Sequence, residues 1–173
     1  MELLKGRAGI ESKFFELCQT VTESNGYELY DLEYLSGPKL LRLYIMNKST
    51  QTAVIEDCIK VDNALSPFFE SETWMPEEVT LEVSSPGIYR VFRTLNHFQM
   101  AVGKLISIII TKNLNGEAFV GMPKSITAEK KLRGSLLSVT EEGIILEIGK
   151  FKVPVQFENI KRAHLDEEID FKK

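Results

Sequence analysis

The spacing of apolar residues changes character once along this chain, and that change constrains the fold more than any single motif. Up to about residue 84 the pattern switches between helical and strand spacing; beyond Gly103 it keeps to strand spacing alone. Ile10, Phe14, Leu17, Cys18 and Val21 recur as one face of an amphipathic helix, which Asn25-Gly26 stops. Tyr27 to Leu35 alternates as a strand, with Tyr30, Leu32 and Tyr34 on one side and Asp31 and Glu33 on the other. Ser36-Gly37-Pro38 is a turn signal, and Leu41, Leu43 and Ile45 continue as the second strand of an antiparallel hairpin. Ile55, Cys58, Val61 and Leu65 return to helical spacing, with Glu56 and Asp57 in the first turn, where acids suit the positive end of the helix dipole. Pro67 is expected to end or kink this helix. Glu78 to Val83 reads as a third strand. Residues 1–84 are therefore expected to form a two-layer α/β domain in the order helix-strand-strand-helix-strand.

Ser84, Ser85, Pro86 and Gly87 read as an interdomain turn. Ser85-Pro86-Gly87-Ile88 fits type II, with proline presetting the first central φ and Gly87 taking the positive second one. A short helical stretch from Thr94 to Val102 completes a linker over 85–103. Lys104 to Thr111 then places Ile106, Ile108 and Ile110 on one side. Strands follow at Leu132 to Val139, Gly143 to Ile148 and Phe151 to Val155, and Glu158 to His164 reads as a helical turn with a last strand. Short strands joined by tight turns predict a small all-β barrel of SH3 or Sm type over 104–173, ending in an acidic tail. Closure would remove the exposed edges of so small a sheet. The class is α+β. Asn113 to Glu129 is loop-like, with Glu117 to Gly121 as a candidate extra strand.

Composition excludes several classes. With 43% hydrophobic and 27% charged residues the chain is neither disordered nor membrane-spanning, and Met1 to Gly6 lacks the pattern of a signal peptide, so a cytoplasmic protein is expected. Cys18 and Cys58 both fall on apolar helix faces and are expected to be free thiols. Two distant histidines and no close cysteine pair leave no zinc site, and no cofactor or metal is expected. The net charge of −4 is unevenly spread: residues 1–90 carry 8 basic and 15 acidic side chains, residues 91–173 carry 13 and 10. An acidic chain with one basic half suits a specific nucleic-acid binder and not a general coat.

A catalytic reading needs a nucleophile and a base. Ser84 or Ser85 with His97 or His164 could supply them, but Ser-Ser-Pro-Gly lacks the flanking glycines of a nucleophile elbow, so no enzyme is expected. The basic groups are more informative. Arg90 and Arg93 follow the turn; Lys130, Lys131 and Arg133 enter a barrel strand; Lys150, Lys152, Lys161 and Arg162 fall on barrel turns. Such side chains neutralise phosphates and release counterions. Arg90, Arg93, Lys130, Lys131 and Arg133 are the expected RNA or ribosome contacts if they share one face, although Arg90 could instead pair with Glu82.

At Leu81-Glu82-Val83-Ser84-Ser85-Pro86-Gly87 the chain resembles the bacterial ribosome maturation factor RimP family. Gly26 to Glu33, Leu41 to Ile45, Ile55 to Cys58, Gly103-Lys104, Lys131 to Leu136, Val153-Pro154-Val155 and Ile160 to Ala163 agree in order. The family usually continues the heptapeptide with Leu-Asp-Arg-Pro-Leu. Here Tyr89 stands for the acid and Val91 for the proline, while Arg90 is kept. The resemblance implies an α/β domain, an Sm-like barrel and a non-enzymatic factor that binds the immature small ribosomal subunit as a monomer. It further implies action on small-subunit rRNA around the central pseudoknot and on a small-subunit ribosomal protein, S-twelve. The alternative from another class is a free-standing Sm-like module acting on small or messenger RNA.

Overall fold

The computed structural model describes residues 7–88 and 90–166, which fall into two compact units, 7–87 and 88 onward. In the first, α1 (Ile10–Ser24), β1 (Tyr27–Leu35), β2 (Leu40–Asn47), α2 (Ile55–Ser71) and β3 (Thr80–Ser84) follow in the expected order. β1 and β2 are antiparallel, β2 and β3 parallel, in sheet order β1-β2-β3. Phe14, Cys18 and Val21 of α1 and Val61 and Leu65 of α2 share one core with Leu29, Leu32, Leu41, Leu43 and Ile45. The two helices thus cover one face of the sheet; the other carries Glu33, Arg42 and Glu82 together with the buried Met46.

Three local expectations fail here for identifiable reasons. Tyr30 lies outside the core cluster, because Leu29 faces Ile45 while Asp31 faces Tyr44. Tyr30 is the extra residue of a β-bulge, which resets the alternation so that Leu29 and Leu32 point inward. α2 runs through Pro67. Pro67 and Asn63 are both exposed, so water can take the carbonyl the missing N–H would have bonded. β3 starts at Thr80, because Glu78 has φ 62°, outside any strand conformation.

The second unit contains α3 (Leu95–Met100), β4 (Leu105–Ile110), a 3₁₀ turn at Glu117–Phe119, α4 (Lys124–Thr127), β5 (Lys131–Val139), β6 (Gly143–Ile148), β7 (Phe151–Gln156), a 3₁₀ turn at Phe157–Asn159 and β8 (Ile160–Leu165). The five strands form one antiparallel sheet in the order β7-β6-β5-β4-β8. Ile106, Ile108 and Ile110 point inward as expected and meet Leu136, Leu146, Val153, Phe157 and Ala163. Burying each such aliphatic side chain stabilises by about 1.5–3 kcal/mol before conformational entropy is charged.

The expected barrel closure is not found. β7 and β8 are the two sheet edges and do not pair among the described residues. The outer edge of β8 is instead occupied by the chain just after the turn: Leu165 N–H donates to the Arg90 carbonyl at 2.9 Å and Phe92 N–H to the Ala163 carbonyl at 2.9 Å. Phe92, Phe98 and Ala101, from the segment read as linker, belong to this second core. Between β4 and β5 there is no extra strand. Glu117–Phe119 form a 3₁₀ turn in the stretch between Gly116 at φ 107° and Gly121 at φ 81°. Gly134 of β5 is buried where a Cβ would stand 2.5 Å from the Glu147 carbonyl oxygen, so β5 and β6 approach as only glycine allows. The acidic tail from residue 167 lies outside the described residues.

Candidate nucleic-acid interface

On the polar face of the first sheet the cation Arg42 is paired with carboxylates of the neighbouring strands. Glu33, Arg42 and Glu82 form one cross-strand row. Arg42 Nε donates to Glu82 Oε2 at 2.6 Å, with Glu33 at 4.0 Å on the other side. The Glu82 hydrogen bond and charge hold the guanidinium above its ordinary pKa. In the next row Asp31 accepts from Arg7 Nη2 at 2.6 Å and from its own neighbour, the Leu32 N–H, at 2.9 Å. Asp57 joins helix to sheet: its carboxylate accepts from the Tyr27 hydroxyl at 2.7 Å and from the Val54 N–H at 3.1 Å. The Tyr27 hydrogen bond, then the Val54 one, hold Asp57 below the usual carboxylate range, and the same contact raises Tyr27. Burial pushes the Cys18 thiol up to about 12 and raises Cys58, so both free thiols are poor nucleophiles.

The groups weighed for catalysis are spent on local structure. Ser84 Oγ donates to the Ser85 carbonyl at 3.1 Å, and Ser85 Oγ accepts from the Gly87 N–H at 3.3 Å. Gly87 has φ 71°, the left-handed value the turn requires after Pro86. His97 Nδ1 accepts from the Arg93 backbone N–H at 3.0 Å, while the His97 backbone N–H donates to the Thr94 Oγ1 cap at 3.3 Å. His164 Nδ1 lies 2.9 Å from the Leu165 carbonyl.

The outer face of the second sheet is different. Lys131 of β5 and Arg162 of β8 stand on either side of Ile109 of β4 in a single cross-strand row, about 10 Å apart at the backbone. Both are exposed, and among the described residues neither has an ion-pair partner. The register shift between Ile109 and Ile110 makes Lys161 a bulge residue. Lys161 and Arg162 are consecutive yet both exposed, which a regular strand would not allow. Lys130 precedes Lys131 and donates from Nζ to the Thr111 carbonyl at 2.7 Å. In the next row Arg133, Ser107 and His164 align, and Arg133 Nε donates to Asp166 Oδ2 at 2.8 Å.

Of the five cations expected to share a face, Lys131 and Arg133 do so, with Lys130 at its end. Arg90 takes the register position of Leu165, whose row points inward, and so is offset from the Lys131 row. Arg93 is half-buried beside His97. Arg162 and Lys161, read from sequence as turn residues, are the strand residues that complete the row. The signal was two adjacent cations inside an apolar alternation, Ile160-Lys161-Arg162-Ala163. The expected junction pair of Arg90 with Glu82 has a competitor, since Glu82 is engaged by Arg42.

Residues 17–89, under half of the chain, match the family model described as the RimP N-terminal domain. The match runs from within α1 to just beyond Gly87, over the whole of the first sheet.

Proposed function

We propose that this protein is a ribosome maturation factor of the RimP family, an assembly factor that binds the immature small ribosomal subunit and promotes its maturation without catalysis or a cofactor. It acts in the cytoplasm as a monomer, with small-subunit rRNA and a small-subunit ribosomal protein as partners. An SH3/Sm type for the second unit is supported by a last strand that lies beside the first and a 3₁₀ turn that joins the two edge strands, although the sheet is not closed. The observation that carries the RNA assignment is the Lys131–Ile109–Arg162 row, two cations held on one face with no carboxylate between them. Phosphate oxygens would satisfy both. Lys130 and Arg133 flank the row, and Arg90 and Arg93 stand beyond β8 as outer contacts.

Gradient sedimentation of cell extract tests the assignment. Co-migration with immature or free small subunits, and not with complete ribosomes, is expected. Migration with small RNA apart from subunits would favour the free-standing Sm-like reading. Charge reversal at Lys130, Lys131 and Arg133 should weaken subunit binding and leave the melting temperature nearly unchanged. The single Arg90→Glu variant separates roles: weaker binding alone marks a phosphate contact, and a lower melting temperature marks a structural one.

A further inference from the structure

The row of cations leads to a cleft. Ile109 sits between Lys131 and Arg162, and two residues later Thr111 forms the lip of a cavity of about 500 Å³ at the end of β4. Lys130 is anchored to that lip through the Thr111 carbonyl. Lys112 and the exposed Glu158 line the same rim. The walls are Leu114, Ala118, Pro154 and Val155, with the half-buried ring of Phe119.

The rim is held in place by one side chain. Asn159 Oδ1 accepts from Thr111 Oγ1 at 2.8 Å and from the Lys112 N–H at 2.7 Å, while its Nδ2 donates to the Lys112 carbonyl at 3.0 Å. Asn159 is therefore used up in the scaffold. Asn113, Asn115 and Gln156 line the cleft as well, are exposed, and make no side-chain hydrogen bond among the described residues. Each offers a donor and an acceptor on one amide, the combination that matches a base edge.

We propose that this cleft receives one unpaired base of the RNA whose phosphates lie along the Lys131–Arg162 row. This rests on the RNA reading of that row. A cavity of this size accommodates a nucleoside, an aromatic ring and apolar walls provide a stacking surface, and free amides meet the base edge. Backbone charges leading to an aromatic-walled cleft are how single strands, and not duplexes, are held.

The test uses the full chain and a short single-stranded RNA carrying one 2-aminopurine, read by fluorescence and by affinity. Three competitors are compared: the same sequence unlabelled, its duplex, and a strand with an abasic site at the labelled position. The single strand should bind about tenfold tighter than the abasic strand. Phe119→Ala should lose that preference. Phe119 packs against the core, so Asn113→Ala with Gln156→Ala, both at exposed positions, serves as a second variant and should weaken the single strand several-fold. Equal affinity for intact and abasic strands, with binding still lost in Lys131→Glu/Arg162→Glu, would overturn the cleft and keep the row. Binding untouched by Lys131→Glu/Arg162→Glu would overturn the RNA reading itself.

Discussion

The Glu33–Arg42–Glu82 row in the first sheet and the Lys131–Ile109–Arg162 row in the second are built alike: three side chains on one face of three adjacent strands. In the first, a cation stands between two carboxylates, the arrangement that favours the sheet. In the second, two cations flank an isoleucine and bring the sheet no such gain. Stability accounts for the first row and not for the second. The same contrast appears in the clefts. The groove beside α2 and β3 is rimmed by Asp62, Glu70, Glu72, Glu77 and Glu78, whereas the cleft beyond β4 has one carboxylate among the described residues, Glu158, with Lys112 on its rim and Lys130 at its lip. An acidic unit whose sheet cation Arg42 is paired with carboxylates and a basic unit that leaves Lys131 and Arg162 without an ion-pair partner among the described residues suit a protein that meets RNA with one face only.

The comparison breaks most visibly at the cores. Leu43→Ala in the first unit or Ile108→Ala in the second removes a fully buried side chain and should cost about 2–5 kcal/mol in denaturant unfolding. Each change tests whether its own sheet is as tightly packed as described, and a loss below 1 kcal/mol at Ile108 would argue against the β4 core.

Glycine substitutions act by different physics in the two units. Gly134→Ala drives a Cβ into the Glu147 carbonyl and Ile148, and should cost about 1–3 kcal/mol. Gly87→Val meets no neighbour within 4 Å but forces a β-branched residue to positive φ, and should cost about 1–2 kcal/mol and impair subunit assembly. A Gly87 variant of unchanged stability would show that the turn relaxes to another conformation.

Much of this was legible in the sequence because it depends on spacing. The inward row Ile106, Ile108, Ile110, the hairpin of β1 and β2 and the order of elements all follow from periodicity. What was not legible depends on the partner strand. Nothing near Tyr30 marks a bulge, and at Lys161 the one sign is the pair of adjacent cations; each bulge exists because the facing strand is one residue short there. The bulge at Lys161 decides the site, since it turns two consecutive cations outward. The open sheet was hidden for a related reason: residues 90–92, which look like linker, take the β8 edge.

The pH response sharpens the contrast at the first unit alone. Asp57 titrates below its ordinary 3.8, so its contribution is complete above that value and is lost as pH falls through the lower folded value. Tyr27 titrates above its ordinary 10, so its contribution is complete below that value and is lost as pH rises through the higher folded one. Asp57→Asn should lower the melting temperature of the first unit by a few degrees at neutral pH and flatten its acid limb; Tyr27→Phe should flatten the alkaline limb. An unchanged acid limb in Asp57→Asn would mean that other carboxylates govern it.

Arg42→Ala should have the smallest effect, a barely lowered melting temperature, because both flanking carboxylates remain partly in water. A large loss there would mean that the row is a structural clamp, which would widen the contrast with the second sheet.

The central claim is that the unpaired cations of the second sheet exist for phosphate. It is tested most directly by measuring the affinity of the full chain for immature small subunits over a range of salt concentrations, for wild type and for Lys131→Glu/Arg162→Glu. The wild-type affinity should fall steeply with salt. The variant should keep its melting temperature, bind more weakly, and lose about 2 from the log–log salt slope. A folded variant with wild-type affinity and slope would contradict the account.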